Sequence, residues 1–276
     1  MKIGISTWVY ERLPIEDALT KLADDGFKMV ELWGDLVQMD PRVFPENRLG
    51  KVAELGNSLQ IEFHSSHSPF TNIDLGSASE HERENSVHWT LKALEHCRTL
   101  GCSYMVLHPG ARTSMEIKGD LGDVKNRIVD SLKAVSSVAE DYGVRLLLEN
   151  MMQFELRRYG SRAQDLLEIV HEVDPDNLGV CIDTGHAIMS KLNVYDEVKN
   201  ADGFLCSIHA NENDGNSDAH LVPLNMETID WKLFLKKLLA IKYSGPFMVE
   251  AYGGESPSSV VNEVKLLPQK LGLLEF

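Results

Sequence analysis

Two glutamates, an aspartate and a histidine stand where apolar runs of this 276-residue chain stop. Val144–Leu148 ends in Glu149, Leu178–Ile182 in Asp183, Phe204–Ile208 in His209, and Pro246–Val249 in Glu250. The four runs begin roughly thirty to forty residues apart. Brought together, two Glu, one Asp and one His form a hard, oxygen-rich donor set for a divalent cation. More donors follow other runs: His67 in His64–Phe70, His108 in Val106–Gly110, His186 in Cys181–Ala187, and Asp218 and His220 in Asp214–Leu221. A single histidine after a strand is most often a packing residue. Here five of the ten histidines share such placement with carboxylates that end their strands, which points to a metal site. His64 has no assigned role, and His81, His88 and His96 read as packing or surface residues of one long helix.

The elements that must position these residues are eight apolar, β-branched-rich runs. They are Lys2–Ser6, Met29–Trp33, Leu59–His64, Tyr104–His108, Val144–Glu149, Leu178–Asp183, Phe204–His209 and Phe247–Ala251. Continuous rather than alternating apolar runs suit parallel strands buried on both faces. Helical patterns lie between them: Pro14–Asp25, Asn47–Leu55, Ser79–Leu100, Leu121–Tyr142, Ser161–Val173, Val194–Asn200, Thr228–Ile241 and Pro257–Leu271. Gly26, Gly56, Gly101 and Gly143 mark expected helix stops, and Ser161 stands in cap position at the start of its helix. Eight alternations of strand and helix predict a single α/β domain over residues 1–276, a (β/α)8 TIM barrel. The strand C-termini of such a barrel share one face, and that face carries the chemistry. A doubly wound sheet is the alternative, but Ser6-Thr7-Trp8-Val9-Tyr10 is not the glycine-rich phosphate turn it would carry.

Composition narrows the function. The chain is 43% hydrophobic and 25% charged, as in a soluble globular protein, and no apolar run reaches the roughly 18 residues that span a bilayer. Met1–Ile5 reads as a first strand rather than a leader, and Cys97, Cys102, Cys181 and Cys206 as buried reduced thiols. The expected location is therefore cytoplasmic. A net charge of −15 disfavours nucleic acid as partner, since duplex binding draws on phosphate neutralisation. Arg157-Arg158 is a short basic pair, and Arg112 and Lys118 could meet a phosphate. Trp8, Trp33, Phe70 and Phe154 follow strands and could wall a small pocket.

With these motifs in hand, the whole chain resembles the xylose isomerase-like TIM-barrel superfamily of sugar isomerases, sugar epimerases and endonuclease IV. The carriers of the resemblance are Leu148-Glu149-Asn150, Cys181–Ala187, His209 with Asp218-Ala219-His220, and Val249-Glu250. Resemblance to the epimerases implies one Mn, Co or Mg ion on Glu149, Asp183, His209 and Glu250, with the two glutamates as acid and base. Resemblance to endonuclease IV implies up to three Zn ions on nine ligands: His67, His108, Glu149, Asp183, His186, His209, Asp218, His220 and Glu250.

The loop Asn213–Leu221, followed by Pro223-Leu224 and Ile229-Asp230-Trp231, favours the sugar branch. The expected activity is a metal-dependent sugar epimerase or isomerase acting through an enediolate on a small-molecule sugar. Glu149 and Glu250 exchange the proton, and His186 bonds a substrate oxygen. The alternatives are a zinc phosphodiesterase acting on abasic DNA, a sugar dehydratase or lyase using the same site, and a barrel that only binds a sugar. Barrels of this kind often pair, so a homo-oligomer is an open expectation by analogy.

Overall fold

The computed structural model describes residues 1–110, 121–154 and 156–273. Arg112 and Lys118 lie outside the described residues. Eight parallel strands close a barrel in sequence order: β1 (Ile3–Ser6), β2 (Met29–Leu32), β3 (Glu62–His67), β4 (Tyr104–Leu107), β5 (Arg145–Glu149), β6 (Leu178–Asp183), β7 (Leu205–Ala210) and β8 (Phe247–Val249). The expected (β/α)8 barrel is therefore what the chain forms. Almost every strand position is buried, which is why the runs read as continuously apolar.

The described helices are α1 (Ile15–Asp24), α2 (Leu49–Leu59), α3 (Glu80–Leu100), α4 (Gly122–Tyr142), α5 (Ala163–Val173), α6 (Thr184–Met189), α7 (Val194–Asn200), α8 (Trp231–Ala240), α9 (Pro257–Val264) and α10 (Leu267–Leu271). Each long helix turns an apolar stripe inward; α4, for example, buries Val124, Ile128, Leu132, Val135 and Ala139. Ser79 caps α3 by accepting from the Glu82 amide. Gly101 and Gly143 end α3 and α4 in the left-handed conformation, as expected of them.

Four expectations change. The third strand is displaced from Leu59–His64 to Glu62–His67, because α2 continues to Leu59 and Gln60 takes a left-handed cap at φ 57°. Gly56 is thus no helix stop. It lies inside α2, where a Cβ would come within 2.4 Å of the Phe63 ring, so its role is close packing on β3. Ser161 does not cap α5: its hydroxyl bonds the Arg158 carbonyl, and Glu197 of α7 accepts from the Ala163 amide instead. The expected helix Pro257–Leu271 divides into α9 and α10, with Pro268 opening the second. Among the described residues no helix is long and apolar enough to cross a membrane. The four cysteines are free; three are buried and Cys206 is half-buried.

Candidate metal centre

Strand register brings the four principal donors together. Asp183 of β6 pairs with His209 of β7, and Glu149 of β5 pairs with Cys181, two residues before Asp183. Glu250 follows β8 directly. Glu149, Asp183, His209 and Glu250 are at most 3% exposed, and each offers a ligand atom within 4.8 Å of the others. Two further groups adjoin them: His67, His108 and Glu149, and Asp183, His186 and His220. Asp218 sits beside the last group, 3.6 Å from His186 and 3.3 Å from His220. All nine expected donors therefore lie on one face.

The histidine tautomers are set from outside the site. His67, His186 and His220 each turn Nδ1 to a backbone carbonyl: Ser68 at 2.7 Å, Asn150 at 2.9 Å and Glu250 at 3.1 Å. His67 presents Nε2 to Glu149 at 3.1 Å, while His186 and His220 turn Nε2 to Asp218 at 3.6 and 3.3 Å with Nδ1 also 3.2 and 3.4 Å from Glu149 and Glu250. His209 does the reverse. Its Nε2 lies 3.0 Å from Glu31 of β2, and its Nδ1 lies 3.4 Å from Glu149, 4.0 Å from Asp183 and 3.2 Å from Glu250. That Nδ1 is buried and makes no hydrogen bond, so it is a donor atom aimed at three carboxylates with no partner of its own. A carboxylate behind a ligating imidazole is the usual outer support of a metal site.

Asp183 is held at every atom. Its Oδ1 accepts from the His186 amide and so caps α6, a short helix that the sequence reading overlooked. Its Oδ2 accepts from Asn211, and its backbone exchanges two hydrogen bonds with the Asn150 side chain.

Electrostatics point the same way. Burial by itself would raise the Glu149 carboxyl, but the charge of His209 and the His108 and His186 imidazoles beside it hold it well below the usual range. Glu250 is likewise held down, against burial, by His209 and His220. Asp183 is pushed up, by burial above all. Burial would lower His67, yet Glu149 and more distant carboxylates lift it to about 8. His108, more weakly compensated by Glu149, is driven by burial down to about 4. Three buried carboxylates converging on one point need positive charge there. The donor set fits a divalent cation in that place.

Above the donors lies a cavity of about 280 Å³ walled by Trp8, Trp33, Phe70, Met151 and Met152. Trp8 and Trp33 stack at 4.8 Å and 12°, and Trp8 meets His220 edge-on. The Trp33 amide is pinned to the Thr7 hydroxyl, which in turn donates to Gln38. At Gly34 a Cβ would fall 1.9 Å from the His67 carbonyl, so only glycine lets the β2 loop pass so close to β3. Phe154, expected among the walls, is not in this lining: its loop turns Met151 and Met152, the residues nearest the strand end, to the cavity. The basic pair is structural. Arg157 pairs with Asp165 at 2.6 Å, and buried Arg158 donates to the Met152 carbonyl, bracing the wall.

Sequence reasoning passed over Glu31 and Asn211, and gave Asn150 no role of its own within its motif. The signal for Glu31 was present: a carboxylate between Val30 and Leu32 in a buried run must have a partner.

A model of the xylose isomerase-like TIM barrel matches residues 19–273. The chain belongs to that family. It is 24% identical to fructoselysine 3-epimerase of Escherichia coli O157:H7 over 81% of this chain and 80% of that protein. A "Probable endonuclease 4" of Mycoplasma capricolum is 28% identical over 62% of this chain and 61% of its own length. The crystal structure of a D-tagatose 3-epimerase-like protein superposes with a TM-score of 0.83 at 25% identity, covering 99% of this chain and 98% of that one. By these relationships this family member is an enzyme, and its sequence and structural relatives include sugar epimerases.

Proposed function

We propose that this enzyme is a metal-dependent epimerase or isomerase of a ketose, working with one Mn, Co or Mg ion on Glu149, Asp183, His209 and Glu250. The observation that carries the reading is the unpartnered His209 Nδ1 facing three buried carboxylates at the floor of a small aromatic-walled cavity. A cavity near 300 Å³ takes one small ligand. When bound, the ion would supply a Lewis acid that favours loss of the hydrogen on the carbon alpha to the sugar's carbonyl.

The chain's own residues do the rest. Glu149 and Glu250 come from different strands, β5 and the end of β8, and so meet the substrate from different sides. One takes the proton from the carbon alpha to the carbonyl; the other returns one to the opposite face, inverting the centre. Return to the neighbouring carbon would isomerise the sugar instead. The glutamate that takes the proton starts charged and the one that returns a proton starts protonated, and the two exchange these states over a turnover. Against the effect of burial, Asp183, Asp218 and Glu149 raise the His186 imidazole well above its ordinary range, so Nε2 as well as Nδ1 can carry a proton and donate to a substrate oxygen. Trp8, Trp33 and Phe70 exclude water and pack on the apolar face of the sugar. The test is turnover of a ketose panel in D2O: one solvent deuteron should enter the inverted carbon. Metal-loaded Glu149→Gln and Glu250→Gln should each lose roughly 10²–10⁴-fold in rate. Metal-loaded Gln variants that kept wild-type turnover would refute the acid/base roles.

A second reading, a zinc phosphodiesterase acting on abasic DNA, is supported by the two additional donor groups. It predicts three zinc ions per chain and incision of abasic duplex. The absorption of Arg157 and Arg158 into structural contacts weighs against it.

A further inference from the structure

The aromatic wall has two sides. Trp8, Trp33 and Phe70 line the cavity over the metal centre and also a second, outer cavity of about 440 Å³. The outer one is larger than a single sugar needs if the inner one already holds the reacting carbons. Its remaining wall is built rather than incidental. Leu36 and Val37 stand 60% and 48% exposed at its rim, although both are apolar, and Leu36 holds a left-handed backbone at φ 61°. That conformation is costly for leucine and needs support from its surroundings.

The support is a buried charge network. Asp40 accepts from the Leu36 amide at 2.8 Å, and Arg42 bridges Asp40 and Asp35 at 2.6 and 2.8 Å. Asp35 also accepts from the Phe70 and Thr71 amides and the Thr71 hydroxyl, fixing the two loops to each other. Two exposed apolar side chains are thus rigidly presented beside a tryptophan stack. Arg12 lines the same cavity, exposed and with no ion-pair partner among the described residues. Its neighbour Glu11 is engaged with the Trp8 indole at 3.0 Å.

We propose that this outer cavity is a second subsite, and that the substrate is an extended ketose rather than a free sugar: its reacting end sits over the metal centre, an apolar tether lies against the Trp8–Trp33 stack, Leu36 and Val37, and an anionic terminus pairs with Arg12. The choice of a ketose rests on the proposed function; the subsite itself rests on the outer cavity. Each methylene buried there is worth roughly fourfold in affinity.

The test uses the metal-loaded full chain and four probes: D-fructose, 1-deoxy-1-(5-carboxypentylamino)-D-fructose, its uncharged hexylamino counterpart, and 6-O-(5-carboxypentyl)-D-fructose. Binding is measured by calorimetry and turnover by deuterium incorporation. One carboxypentyl compound should bind at least about tenfold tighter than D-fructose, and the better of the two shows which end of the sugar faces outward. Arg12→Ala should erase the advantage of the carboxylate over the hexyl compound, and Val37→Asp should weaken all extended probes relative to D-fructose. Extended probes that bind no tighter than D-fructose, or an advantage untouched by both substitutions, would overturn the subsite. Deuterium exchange into D-fructose alongside that result would leave the epimerase reading standing. Tight, Arg12-dependent binding without exchange into any probe would uphold the subsite and remove the epimerase reading.

Discussion

The Glu31 carboxylate accepts from His209 Nε2 through Oε2 at 3.2 Å, with Oε1 only 3.0 Å from the same nitrogen. Ser65 donates to Oε2 at 2.7 Å, so the carboxylate is itself fixed. Both partners are wholly buried. The contact spans the barrel from β2 to β7 and leaves Nδ1 as the nitrogen facing the other carboxylates. Glu31→Gln should therefore weaken binding of a divalent ion by about 10–100-fold, measured by competition with a chromophoric chelator. Ser65→Ala should move the same constant in the same direction by less. Unchanged metal affinity in Glu31→Gln would show that the ring is oriented by something else.

Removing the ion should cost stability, because Glu149, Asp183 and Glu250 then face one another in a buried site. At free metal 100 times the dissociation constant, the bound state gains about 2.7 kcal/mol. For a chain of this size that is a melting shift of roughly 5–10 °C between chelated and reloaded protein. Elemental analysis of the reloaded protein gives the count: one ion per chain agrees with the epimerase reading, three zinc ions with the phosphodiesterase.

Asp35 is 1% exposed and accepts four hydrogen bonds, one of them from Arg42. Asp35→Ala should cost about 3–5 kcal/mol in urea unfolding, because it leaves buried donors and the Arg42 charge without a partner. In the folded fraction, affinity for any ligand that packs on Phe70 should fall as well.

His96 carries a pH signature away from the candidate metal centre. Burial lowers it, only partly opposed by the Met39 carbonyl 3.3 Å from Nδ1, and its Nε2 has no hydrogen-bond partner. The folded value is below the unfolded one of about 6.5, so the unfolded chain binds more protons in the window between them. Stability from this residue is complete above about pH 6.5 and falls as pH drops through that window. His96→Leu should flatten the slope of melting temperature against pH below about 6.5, relative to wild type. An unchanged slope would place the proton uptake elsewhere.

Much of the donor set was legible because a barrel strand advertises its own end. Glu149, Asp183 and His209 terminate buried apolar runs and Glu250 follows one directly, and parallel strands in a closed barrel send all such ends to one face. His67, His108, His186, Asp218 and His220 follow other strands and needed only the same rule. Helix boundaries were less legible where tertiary contact overrode local signals. Gly56 reads as a stop but packs on Phe63, and Ser161 reads as a cap but bonds Arg158.

The sequence by itself determined the alternation, the barrel and which side chains meet at its mouth, since burial periodicity and chain order depend on residue type alone. Only the tertiary structure decided which nitrogen of each histidine faces the site, because that depends on a carbonyl or carboxylate far away in the chain: Glu31 for His209, Asn150 for His186, Glu250 for His220. It also decided that Met151 and Met152, rather than Phe154, wall the inner cavity, and that a buried Asp35–Arg42–Asp40 network holds Leu36 and Val37 outward. Contacts across such sequence distances leave no periodic trace; they exist only once the strands are in register.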